Sequence, residues 1–166
     1  VPTTSAADVW GGPPLDQASA GLWQNDTAIQ KLVTTLSQRR VTLDEASAMI
    51  ATYATSLDEA ARGEKLPLVF QGLLETVNRE RAALIHGIER YDDKQSALAD
   101  AVRLTRQELS ALSQDDRKRE EVQQKLDWQT RIHRDREKSL EYVCETPTLL
   151  EQRLFALARD IVNYLP

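Results

Sequence analysis

Two histidines, one cysteine and several adjacent carboxylates are the side chains of this 166-residue chain that could do chemistry. His86 is followed by Glu89 at i+3, and His133 by Glu137 at i+4. Each pair shares a helix face and could offer two ligands to a metal. A di-metal bundle needs Glu-x-x-His on two helices, and neither histidine has a glutamate three residues before it. No His-Glu-x-x-His is present either. Both histidines therefore read as surface or interface residues. Cys144 stands alone, which excludes an intramolecular disulfide and a zinc–cysteine site. A nucleophilic cysteine needs a nearby histidine or a helix N-terminus to lower its pKa. His133 is three turns away on the same helix, so Cys144 reads as a buried structural thiol, with a redox or intermolecular disulfide role as the alternative. The carboxylate pairs Asp58-Glu59, Asp92-Asp93, Asp115-Asp116 and Glu120-Glu121 are adjacent in sequence. Adjacent helical residues do not face each other, so these are solvating charges and not acid–base dyads. There is no glycine-rich phosphate loop and no nucleophile elbow. The expectation is a protein that is not an enzyme, with no catalytic residue, cofactor or metal.

Bulk properties point the same way. A net charge of −5 disfavours nucleic acid as the partner. The basic cluster Arg117-Lys118-Arg119 is followed at once by Glu120 and Glu121, as on a solvated helix surface. No apolar run approaches the ~20 residues of a membrane span. With aromatics at 5% and Gly and Pro sparse outside the first fifteen residues, an all-β fold is excluded. The start Val-Pro-Thr-Thr-Ser lacks an initiator Met and suits an exported, periplasmic protein after signal removal. A cytoplasmic site is the alternative.

The elements that must position any functional residue are helices. From Leu74 to Leu112 residues recur at alternating steps of three and four: Leu74, Val77, Arg81, Leu84, Ile88, Tyr91, Gln95, Leu98, Val102, Thr105, Leu109, Leu112. This is a heptad-type seam that asks for a partner helix along its length. A helix from Pro67 to Leu112 would extend on the order of 65–70 Å. No apolar residue occurs between Leu112 and Val122, so the chain is expected to reverse there at an exposed tip, with Ser113 and Asp116 at helix-start spacing. A returning helix from about Asp115 to Tyr142 would present Val122, Leu126, Gln129, Ile132, Arg136, Leu140 and Val143 to the first arm. An unbroken rod is the alternative. Gln129 and Arg136, like Arg81 and Gln95, put polar groups on the seam, which lowers stability but fixes register.

Around this hairpin the expected elements are shorter. Residues 1–25 form an irregular arm punctuated by Trp10-Gly11-Gly12-Pro13-Pro14. Its Trp10 and Trp23 either anchor a partner or fold back onto the chain's own bundle. Asn25 or Asp26 caps a first helix reaching Arg39, with Arg39 and Arg40 complementing its dipole. Thr42 and Glu45 form a capping box for a second helix, Gly63 stops it, and Pro67 sits in the first turn of the long helix. Thr146-Pro147 ends the returning arm and opens a last helix carrying Leu150, Leu154, Leu157 and Ile161. The expected fold is all-α: residues 26–166 make one helical domain, with body helices in 26–62 and 147–166 and a long antiparallel coiled-coil-like hairpin over 67–145.

The segment Leu104-Thr105-Arg106-Gln107-Glu108 resembles the Leu-Thr-x-x-Gln motif of periplasmic stress proteins related to spheroplast protein Y. It covers five residues, has Glu108 in place of the motif's Gln, and lacks a second copy. The resemblance implies a periplasmic helical hairpin that binds other proteins. Function is accordingly expected to be protein–protein interaction, with another protein or a second copy as partner. The candidate contacts are Trp10, Trp23, Trp128, Arg117 and Arg119. The alternatives are a sensory or small-ligand-binding bundle and an exported metal-binding or stress-related helical protein.

Overall fold

The computed structural model describes residues 3–166, and it is all-α, with no strand among the described residues. Its helices are α1 (Ala6–Val9), α2 (Thr27–Leu36), α3 (Leu43–Thr55), α4 (Glu59–Ala111), α5 (Arg119–Cys144) and α6 (Thr146–Val162). Two short 3-10 turns, Gln17–Ser19 and Leu22–Asn25, lie in the N-terminal arm. No helix among the described residues is long and apolar enough to cross a membrane. The chain forms two compact units. Unit 1 joins the described residues up to Ala83 with Pro147–Pro166, and unit 2 is Leu84–Thr146. Residues 67–83, expected in the hairpin, thus belong to unit 1.

In unit 1, each helix contributes an apolar stripe that is fully enclosed. Ile29 and Leu36 of α2, Ile50 of α3, Phe70 of α4, and Leu154 and Ile161 of α6 are all inaccessible to solvent or nearly so. Local signals set the helix starts. The Asp26 carboxylate accepts from the Ala28 and Ile29 amides at 2.9 and 3.2 Å. Thr42 and Glu45 make the expected reciprocal box: the Thr42 amide donates to Glu45 Oε2 at 2.8 Å, and the Glu45 amide to Thr42 Oγ1 at 3.1 Å.

The start of α4 corrects the sequence reading. Gly63 does not stop a helix and Pro67 does not open one; both lie inside α4. The helix begins eight residues before Pro67, where Asp58 Oδ1 accepts from the Ala61 amide at 2.8 Å. A proline within a helix costs about 3 kcal/mol or more through a lost hydrogen bond and a clash with the carbonyl four residues back. Here that residue is the exposed Gly63, whose carbonyl water can serve. Burial of Leu66, Val69, Phe70 and Leu73 around the proline offsets the cost.

Helix C-termini are closed from a distance, which the sequence reading also missed. α2 ends at Leu36 with no basic residue in its last turn, so Arg39 and Arg40 lie beyond it. Arg153 of α6 caps it instead, donating from Nε and Nη2 to the Leu36 carbonyl at 3.1 and 2.8 Å. Arg62 closes α3 in the same way, from Nε to the Ala54 carbonyl at 2.8 Å.

The N-terminal arm folds back within unit 1. Trp10 stacks on Phe70 with ring centroids 4.3 Å apart. The Trp23 indole donates to Glu75 Oε2 at 2.7 Å, and Gly21, at φ +75°, donates its amide to Glu75 Oε1 at 3.1 Å. Gln71 adds a third bond to the same carboxylate at 2.8 Å. Burial alone would raise the Glu75 pKa, but these donors, with Arg79, outweigh it and hold the group below its ordinary range. Gly72 completes the seat: a Cβ there would come within 2.8 Å of both Trp23 and Val33. Asn78 secures the outer end of the arm through bonds to the Thr4 amide and carbonyl at 3.1 and 2.9 Å.

Unit 2 is a pair of antiparallel helices, α4 from Leu84 onward and α5, joined by residues 112–118. The break at 112–118 excludes the unbroken rod. α5 begins at Arg119 and not Asp115, because Asp116 turns its side chain to the Lys118 amide (2.9 Å).

Candidate functional site

The faces of unit 2 are built from its seam outward. At the centre of the seam the most buried residues include Gln95, Thr105 and Gln129, together with Val122 and Leu126. Gln95 Nε2 donates to the His133 carbonyl at 3.0 Å, which ties α4 to α5 in register. Thr105 satisfies itself on its own helix through the Ala101 carbonyl, at 2.9 Å. The amide oxygens of Gln95 and Gln129 are enclosed with no hydrogen-bond partner. The apolar seam residues Leu84, Ile88, Leu98 and Val102 are only half-buried, because a two-helix unit covers each helix on one side. Toward the end of α5 the seam lapses: Arg136 and Val143, expected to face α4, are exposed.

Outside the seam stand large apolar side chains. Trp128 is 63% exposed, Tyr142 78% and Leu104 57%. Trp128 and Tyr142 are two heptads apart and so share one face of α5. Leu104 lies in the segment that resembles the stress-protein motif, and this whole segment is interior to α4.

The candidate contacts named from sequence separate into three groups. Trp10 and Trp23 are buried in unit 1, where they hold the arm. Arg119 is also engaged, its Nη1 donating to the Leu109 and Leu112 carbonyls at 3.2 and 3.1 Å, so it caps the end of α4. Arg117 and Trp128 remain exposed.

Chemistry-bearing residues do not converge. His86 Nδ1 lies 3.6 Å from Glu89 and His133 Nδ1 3.9 Å from Glu137, each an exposed or half-exposed pair on its own helix. No group of three His, Cys, Asp or Glu side chains that could hold a metal occurs among the described residues. Cys144 is exposed, which corrects the buried thiol expected from sequence. It falls on the last turn of α5 beside exposed Tyr142 and Val143, where no helix covers it within its unit.

Unit 1 carries an open groove of about 760 Å³ between α2 and α3, lined by Leu32, Met49 and Tyr53 among others. The Tyr53 hydroxyl is enclosed and unpaired, and burial, with the nearby Asp26 charge, raises its pKa.

No family model matches the chain, and no curated protein or solved structure matches it either.

Proposed function

We propose that the protein is a non-enzymatic interaction protein whose helical pair in unit 2 binds another protein. The observation that carries this reading is the exposure of Trp128 and Tyr142 on one face of α5, in a unit whose seam is itself half-covered. Large aromatic side chains of this kind are over-represented among the residues that dominate binding energy. An exported, periplasmic site of action is part of the proposal and rests on the likeness of the 104–108 segment to the stress-protein motif.

The test compares the parent chain with a Trp128→Ala/Tyr142→Ala variant in mass determination and in co-purification from native extract. The expected outcome is a protein partner retained by the parent and lost by the variant, with the helical content unchanged. A parent dimer that the variant converts to monomer would make the partner a second copy. Equal behaviour of the two chains in both measurements would overturn the reading.

A second reading, a small-ligand-binding bundle, draws support from the groove between α2 and α3 and its unpaired Tyr53 hydroxyl. A ligand accepting a hydrogen bond there would bind more weakly to Tyr53→Phe.

A further inference from the structure

Arg106 of α4 and Arg131 and Arg134 of α5 line one cleft of about 340 Å³ on the flank of unit 2. Leu126, Thr130 and Asp127 complete its lining. None of the three arginines forms an ion pair among the described residues. Asp127, the single carboxylate of the lining, accepts from Gln123 Nε2 at 2.9 Å. Asp100, one and a half turns before Arg106, pairs with Arg103 at 3.6 Å.

Arg106 on α4 and Arg131 and Arg134 on α5 put three like charges on the lining of one cleft, and an anion bound there would offset their mutual repulsion. Guanidinium forks match the geometry of oxyanions and bind them bidentately. The Thr130 hydroxyl adds a neutral donor on the same lining. A phosphoryl group carries a charge of about −1.5 to −2 near neutral pH. It therefore balances three arginines better than a lone carboxylate does. The chain's net charge of −5 and the confinement of the cluster to one cleft disfavour a nucleic-acid backbone, which needs an extended basic track.

We propose that this cleft is a binding site for a phosphoryl group, supplied as a free inorganic anion or as a phosphorylated side chain of a partner. The inference is independent of the aromatic face on which the proposed function rests.

Calorimetric titration of the full chain at constant ionic strength tests it, with pyrophosphate, a phosphoserine peptide and its unphosphorylated twin as probes. Saturable one-to-one binding of pyrophosphate or of the phosphopeptide is expected, with none for the unphosphorylated twin. Pyrophosphate alone would identify the free anion, and the phosphopeptide alone a partner's side chain. Losing charge-assisted hydrogen bonds should weaken binding about tenfold or more in Arg131→Gln/Arg134→Gln. Arg106→Gln, on the other helix, should weaken it as well. All three positions are exposed, and circular dichroism verifies that the variants keep their helices. No saturable binding of either phosphorylated probe, or binding that the variants leave unchanged, overturns the proposal.

Discussion

Units 1 and 2 are both made of amphipathic helices, yet they bury different residues. In unit 1 the inaccessible side chains include Phe70, Ile29, Leu36, Leu73, Leu154 and Ile161. In unit 2 the buried ones include Gln95, Thr105 and Gln129, while Leu98 and Val102 on the same seam stay half-exposed. The heptad spacing runs through both units without a change of period. What differs is the number of neighbours. Unit 1 surrounds the start of α4 with α2, α3, α6 and the arm, whereas unit 2 offers α4 only α5. Spacing selects the face of a helix that turns inward, and the number of packed neighbours decides how much of that face leaves water.

Phe70→Ala should break the contrast most directly. It removes a fully enclosed ring and the stacking surface of Trp10, and a loss of about 3–5 kcal/mol is expected in denaturant unfolding. Leu126→Ala in unit 2 should cost less than half as much. Equal losses would mean that the two cores are equivalent.

Gln129→Leu tests the polar seam from the other side. Its enclosed amide oxygen has no partner, so the variant should be more stable by about 1 kcal/mol, read as a raised unfolding midpoint. A destabilised variant would mean that the amide is satisfied in solution.

Acid should loosen the arm of unit 1 through Glu75. Its folded pKa is depressed, so the stabilisation is fully present above the ordinary glutamate value of about 4.3 and is lost as pH falls through the lower folded value. The difference in thermal stability between the parent and Glu75→Gln should therefore be present at neutral pH and shrink as the pH is lowered below 4. A difference that is flat with pH would show that the carboxylate charge is not what seats Trp23.

Much of the helix pattern was legible because it depends on neighbours in sequence. Every seam position from Leu74 to Leu112 is buried or half-buried, as the spacing requires. The Asp26 cap and the Thr42–Glu45 box act over three residues and can be read directly. The start of α4 was misread because Gly63 and Pro67 are strong local signals, and only the enclosure of Leu66, Val69 and Phe70 overrides them. Little of the candidate site was legible. Trp128 is visible as an aromatic off the seam, but its likeness to Trp10 and Trp23 in sequence says nothing of which tryptophans are covered.

The sequence by itself determined the class of structure and the inward face of each long helix, since both follow from periodicity and from the scarcity of Gly, Pro and aromatic residues. Tertiary structure alone decided what meets across elements. It brought Arg153 to the end of α2, seated Trp23 on Glu75, and gathered Arg106, Arg131 and Arg134 around one cleft. The physical reason is range: periodicity and capping operate within a few residues, whereas these contacts join positions set side by side only when helices distant in sequence pack.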